Sequence, residues 1–113
     1  MSIFYKSAQI TFEPHSRFEG VRIAKLVTKD RGEAIGVSML EIRPGVEIPI
    51  HTHDQELDSI LVLSGNGQAF IDGAWREIGE GDYILIPPTL EHGVKNTSPQ
   101  PLRLFIVHSP AIF

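Results

Sequence analysis

The residues most suited to chemistry lie in one stretch, GVEIPIHTHDQELDSILVLSG, which runs from Gly45 to Gly65. It contains His51 and His53, two residues apart. Successive side chains of an extended strand alternate between its faces, so both imidazoles point the same way. Two residues of strand rise by roughly 7 Å, a separation that two imidazoles can close around one ion. The pair predicts a metal site, although two histidines in one loop are often only surface polar residues.

A metal held by two imidazoles needs an acidic partner, and three candidates follow the pair: Asp54, Glu56 and Asp58. Glu56 and Asp58 share strand parity, so they occupy one face if the segment is extended. The residues alone leave the choice between them open.

A second block, GDYILIPPTLEHGVKN, runs from Gly81 to Asn96 and contains His92. This histidine follows a proline turn that ends an apolar strand. Together with His51 and His53 it completes a set of three imidazoles from two regions of the chain. Apolar strands flank both regions, which favours a site inside a barrel.

The two blocks together resemble the paired motifs of the cupin superfamily. The glycine, HxH, acid and glycine of the first motif (about 45–65) correspond to Gly45, His51, His53, Asp58 and Gly65. The glycine, proline, histidine and asparagine of the second (about 81–96) correspond to Gly81, Pro87, His92 and Asn96. Two residues depart from the pattern. Asp58 stands where glutamate is usual, and Thr89 replaces a turn glycine, which indicates that this turn need not use a positive φ.

The resemblance implies an all-β fold, a double-stranded β-helix or jelly-roll barrel, with a metal near its centre. It also implies a homodimer, often one that exchanges or pairs N-terminal strands. By this resemblance the ligands are His51, His53, His92 and Asp58, which spacing favours over Glu56. Such a shell suits Mn, Fe, Ni, Co, Cu or Zn. If Glu56 is not a ligand, it is a candidate catalytic acid or base at the barrel mouth.

Further residues are weaker candidates. Met39 and Tyr83 are expected to be pocket walls, because their strands should flank the site. Asn96 either lines the pocket or serves as a turn residue. His15 and His108 lie outside both motifs. His108 ends an apolar strand and is expected at the surface, with a position at the barrel mouth as the alternative.

Pattern alone also predicts an all-β chain. Gly and Pro separate short apolar runs, and helical periodicity is weak, with only a short turn expected near Pro87–His92. The predicted strands are Ser7–Phe12, Val21–Thr28, Ala34–Ile42, Leu57–Leu63, Gly67–Ile71, Tyr83–Ile86 and Leu102–Val107.

Length and composition limit the alternatives. The chain has 113 residues, enough for one domain over 1–113, and a net charge of −4, which argues against nucleic-acid or anionic-membrane partners. It has no cysteine, no apolar run long enough to span a membrane and no secretory-type start, so a cytoplasmic protein is expected.

These observations favour a small metalloenzyme acting on a small organic molecule by oxygenase, isomerase or lyase chemistry. The alternative is a non-catalytic barrel that binds or senses a small ligand through the metal. A purely structural metal is a third and weaker hypothesis. One barrel hosts many chemistries, so the fold alone does not choose among them.

Overall fold

The computed structural model of the chain describes residues 2–113 and consists almost entirely of β-strands. Two short 3₁₀ helices, Ser7–Gln9 and Lys29–Arg31, interrupt the strands. The strands in chain order are β1 (Glu13–Pro14), β2 (Val21–Val27), β3 (Gly36–Ile42), β4 (Glu47–His51), β5 (Leu57–Ser64), β6 (Asn66–Ile71), β7 (Ala74–Gly79), β8 (Tyr83–Ile86), β9 (His92–Lys95) and β10 (Leu102–Ser109).

The strands form two antiparallel sheets. The larger has the order β1-β2-β3-β10-β5-β8, and the smaller has the order β4-β9-β6-β7. Most neighbours in each sheet are distant in sequence, as in the pairing of β3 with β10 and of β4 with β9. This is the jelly-roll, or double-stranded β-helix, architecture that the resemblance implies.

The core lies between the two sheets and follows the period of two along each strand. In β10, Leu102, Leu104 and Ile106 are buried, whereas the residues between them are less so. Ile48, Ala69, Ile78 and Val94 of the smaller sheet pack into the same apolar cluster. Inward-facing apolar side chains from both sheets therefore hold the barrel together.

Several predicted elements differ from the structure. The expected strand Ser7–Phe12 is wrong, because Ser7–Gln9 forms a 3₁₀ helix with no buried residue. Four strands were not predicted: β1, β4, β7 and β9. β1 has only two residues. β7 buries only Ile78, and β9 buries three consecutive residues, so neither has an alternating pattern to detect. The short turn expected near Pro87–His92 is present at Pro88–Thr89, before β9.

None of the helices within residues 2–113 has the length and apolar character needed to cross a membrane.

Candidate metal centre

Three imidazoles lie close together where β4 ends and β9 begins, on the smaller sheet. His51 ends β4 and His92 begins β9, and the two residues are partners in the strand register, with ring centroids 4.3 Å apart. His53 follows in the connection to β5, with its ring 5.0 Å from that of His51 and 5.3 Å from that of His92. One nitrogen from each ring lies within 4.8 Å of the others. The structure therefore brings together all three predicted histidines.

Backbone carbonyls orient two of these rings. His51 Nδ1 lies 2.7 Å from the carbonyl oxygen of Pro49, and His92 Nδ1 lies 3.0 Å from that of Leu90. A carbonyl oxygen can only accept, so each Nδ1 carries the hydrogen and donates it. In the neutral ring this leaves Nε2 with a free lone pair, the form in which imidazole binds a metal.

Asp58 and His108 approach from the larger sheet. They are register partners on β5 and β10, and both are buried, with 5% and 7% of their surface exposed. Asp58 Oδ1 lies 2.6 Å from His108 Nε2, and Oδ2 lies 2.8 Å from His92 Nε2 and 3.5 Å from His53 Nε2. The carboxylate therefore lies among three imidazoles.

These contacts are short, but their directions are poor for hydrogen bonds. Within residues 2–113, Asp58 Oδ1, His92 Nε2 and His108 Nδ1 are buried without a well-directed hydrogen-bond partner. Native proteins rarely leave such atoms unsatisfied, and an ion is one of the recognised reasons for an exception. A cation bound by the Nε2 atoms and the carboxylate would satisfy two of the three.

The protonation tendencies agree with a cation site. Burial alone raises the pKa of Asp58, but the imidazoles of His108 and His92 hold it well below its usual range, so the side chain is a carboxylate. Burial lowers the pKa of His51 and of His53, which keeps both rings neutral. Burial also acts to lower the pKa of His92, but Asp58 and the carbonyl of Leu90 outweigh it and raise that pKa.

The residues present therefore fit a divalent transition metal. Imidazole nitrogens and one carboxylate are a donor set that such ions accept. His51, His53, His92 and Asp58 would hold the ion. His53, Asp58 and His108 form a second, overlapping cluster of potential ligands.

A cavity of about 510 Å³ opens from this centre. All five clustered residues line it, and its walls are mainly apolar, including Ile23, Leu40, Ile48, Ile60, Leu104 and Ile106. Its volume lies within the roughly 300–1,000 Å³ range of small-molecule sites, and a few convergent polar groups on apolar walls are typical of them.

His108 belongs to the site although it lies outside both motifs. It was expected at the surface, but it is buried beside Asp58. A signal was available, because His108 shares the parity of Leu102, Leu104 and Ile106, the buried residues of β10.

The other candidates lie elsewhere. Glu56 is half-buried, and it is not among the residues that line the cavity. Met39 does not line it either, because the adjacent Ser38 and Leu40 occupy the inner face of β3 and parity turns Met39 outwards. Tyr83 is 59% exposed on the outer face of β8, where its hydroxyl contacts that of Ser59 at 2.5 Å. The expected pocket walls Met39 and Tyr83 are therefore wrong.

Asn96 was expected either to line the pocket or to serve as a turn residue, and it is a turn residue. It is 1% exposed, its amide donates to the carbonyl oxygens of Ile42 and Gln100, and its Oδ1 accepts from Ser98. It does not line the cavity. Its side chain closes the connection between β9 and β10.

The turn at Thr89 uses a conformation that the sequence did not require. Thr89 has a φ of 71°, so the turn does use a positive φ although glycine is absent. Its N–H donates to the carbonyl oxygen of His53 at 2.7 Å. This bond ties the second motif to the first at a histidine of the centre, which explains how an unfavourable conformation persists.

A family model for the cupin domain matches residues 38–108, well over half of the chain. The match includes all five clustered residues. The chain belongs to the cupin family.

The chain is also similar to individual proteins of known sequence or structure. The chain is 29% identical over 80 residues to a mannose-1-phosphate guanylyltransferase of Escherichia coli, covering 71% of this chain but only 17% of that protein. It is 26% identical over 108 residues to an oxalate-binding protein of Thermotoga maritima, covering 90% and 89% of the two chains. The crystal structure of a predicted oxalate decarboxylase from Thermotoga maritima superposes with a TM-score of 0.84 at 25% identity, covering 97% and 99%. The chain thus spans about a sixth of the guanylyltransferase that it matches and nearly all of the two small proteins.

Proposed function

We propose that the chain is a metal-dependent cupin that acts on a small organic substrate in its barrel cavity. One observation carries the proposal: three imidazoles converge beside a buried carboxylate at the inner end of an apolar cavity. Two of these imidazoles have Nε2 freed by backbone carbonyls before any ligand arrives. Preorganised donors of this kind are characteristic of functional metal sites.

His51, His53, His92 and Asp58 would hold the ion, and Mn, Fe, Ni, Co, Cu and Zn all suit this donor set. A bound ion of this kind supplies Lewis-acid polarisation of a carbonyl or enolate oxygen and, when redox-active, dioxygen chemistry beside the substrate. The apolar walls exclude water and hold the body of the substrate. His108, in contact with Asp58 Oδ1, keeps the carboxylate turned towards the imidazoles.

The first test is elemental analysis of protein purified without an affinity tag or a chelator. We expect near-stoichiometric metal in the wild type and none in the double variant His51→Ala/His92→Ala. His15→Gln is the matched control, because His15 is the one histidine outside both ligand clusters, and it should retain the metal. A wild type that neither contains metal nor takes it up on addition would contradict the proposal.

Turnover is tested with the metal-loaded protein and a panel of small organic acids, with products identified by mass spectrometry. His51→Ala should lose metal and turnover together. Turnover that survives without metal would show that the chemistry does not depend on this centre.

A second candidate is ligand binding without turnover, which the similarity to the oxalate-binding protein favours. Oxalate is therefore the first ligand to titrate against the metal-loaded protein by calorimetry, with product release followed in the same sample. Saturable binding with an unchanged ligand would favour the binding protein. Consumption of oxalate would favour the enzyme.

We also propose that the chain forms a homodimer through the outer face of β5 and β8. Leu61, Tyr83 and Leu85 lie there with 38%, 59% and 52% of their surface exposed, and β8 is an edge strand. Exposed apolar groups next to an edge strand favour association. Light scattering should give twice the monomer mass for the wild type and a lower mass for Leu85→Glu. A monomeric wild type would refute the dimer.

A further inference from the structure

The open end of the cavity is formed by a short segment that follows β1. His15, Arg17 and Phe18 all line the cavity, and Arg17 is exposed. The backbone N–H groups of Arg17 and Phe18 donate to His15 Nδ1 at 3.0 and 3.3 Å. Because Nδ1 accepts both bonds, the hydrogen of the neutral ring is on Nε2, which remains a free donor. One imidazole therefore holds the turn in place and still offers an N–H.

The charges at this end oppose the charge of the protein as a whole. The chain carries a net charge of −4, yet the charged residues that line the cavity outside the metal cluster are Arg17, Lys25 and Glu13. Lys25 Nζ lies 3.9 Å from Glu13 Oε1, so these two charges offset each other. Within residues 2–113, Arg17 makes no ion pair, and its guanidinium lies over the Phe18 ring at 5.2 Å. An unpaired cation therefore stands at the entrance.

Phe18 connects this cation to the metal centre. Its ring centroid lies 6.0 Å from that of His51 and 5.2 Å from Arg17 Cζ. The Phe18 ring therefore lies close both to Arg17 and to one imidazole of the centre. A ligand with a short apolar body can extend along Phe18 and contact both ends.

We propose that the cavity binds small organic anions, with a carboxylate or phosphate held by Arg17 and the Nε2–H of His15, and with an apolar body against Phe18. The guanidinium suits both groups because its N–H donors match their paired oxygens. That the far end of the ligand reaches a metal rests on the proposed function. The anion subsite itself depends only on the entrance residues.

The test is a set of titrations with hexanoate, hexyl phosphate and the neutral hexanol, followed by amide chemical shifts of isotope-labelled protein. The proteins are the wild type, Arg17→Gln, Arg17→Lys and Arg31→Gln, a control that removes the same charge from an exposed residue outside the cavity. Metal content is measured in every sample, and each titration is repeated after chelator treatment. Failure to bind metal, which would count against the proposed function, is thereby recorded separately from failure to bind an anion.

We expect both anions to bind the wild type and Arg31→Gln, and to bind Arg17→Gln about three- to tenfold more weakly. Arg17→Lys should restore part of the affinity, added salt should weaken it, and hexanol should bind all four proteins alike. The tighter of the two anions identifies the group that the subsite prefers. Equal anion binding by wild type and Arg17→Gln, anion binding no tighter than that of hexanol, or no anion binding at all would overturn the proposal.

Discussion

The two sheets contribute to the centre in different ways. On the smaller sheet, His51 and His92 are each oriented by a carbonyl two residues earlier in the chain. On the larger sheet, Asp58 and His108 are separated by 50 residues of chain and are oriented by each other. One side of the centre is therefore built from local contacts, and the other from strand register.

This difference indicates how each side should respond to mutation. A locally oriented imidazole keeps its direction while its own turn persists. The Asp58–His108 pair depends on both partners, so removing one should disturb the other.

The largest effect is expected at the carboxylate. Asp58→Asn should weaken metal binding by at least about 100-fold, because it removes the one carboxylate of the cluster and, with it, the negative charge that attracts the cation. Glu56→Gln, the matched change two residues away, should leave the metal dissociation constant unaltered, since Glu56 does not line the cavity. Calorimetric titration of the chelator-treated proteins measures both. The reverse order would transfer the ligand role to Glu56.

The next effect is expected at the partner of that carboxylate. His108→Gln should weaken metal binding by about 10- to 100-fold, the usual consequence of losing a group that orients a ligand. The same titration measures it, with circular dichroism to verify folding. An unchanged affinity would show that Asp58 needs no orientation by His108. A complete loss of metal, as in the His51→Ala/His92→Ala variant, would make His108 a ligand itself.

A smaller effect is expected at the turn that supports His53. Thr89→Gly should increase the free energy of unfolding by about 1 kcal/mol, because glycine accepts the positive φ and retains the N–H that donates to His53. Thr28→Gly is the control: Thr28 has a φ of −122°, so glycine should destabilise the protein there. Chemical denaturation of the wild type, the two single variants and the double variant measures the free energy of unfolding of each. It therefore tests the expected increase for Thr89→Gly and the expected decrease for Thr28→Gly. A destabilised Thr89→Gly would show that the threonine side chain contributes more than its backbone strain costs.

The smallest effect is expected in the pKa values of the three imidazoles His51, His53 and His92, because His92 lies closest of the three to Asp58 of the larger sheet. Asp58 raises the pKa of His92 above the ordinary 6.5 in spite of burial, whereas burial lowers the pKa of His51 and His53 below it. As pH falls through this range His92 therefore gains its proton first, and metal affinity should begin to decrease there. Proton NMR of the imidazoles in chelator-treated protein gives the order of titration. His92 titrating last would contradict it.

Much of the centre could be predicted from the sequence because its signals are local. The spacing of His51 and His53 and the turn before His92 identified the three imidazoles, which the structure brings together. The period of two predicted most of the strands, and the paired motifs predicted the family. Asp58 was favoured by spacing, and it lies among the imidazoles while Glu56 does not line the cavity.

The errors arose where a side chain's environment depends on its partners across the sheets. Met39 and Tyr83 were assigned to the pocket because of their strands, but parity against buried neighbours turns them outwards. Residue type alone did not require a positive φ at Thr89, and a hydrogen bond to His53 holds the residue in that conformation.

The all-β class, the cupin motifs and the three imidazoles could be predicted from the sequence, since each depends on residues close together in the chain. The contact of His108 with Asp58 and the position of Arg17 at the cavity entrance follow instead from how distant strands pair and pack. His108 reaches Asp58 through the pairing of β10 with β5, across 50 residues of chain. No local sequence pattern predicts this contact. The register of β10 against β5 is selected by the burial of both sheets against a common core.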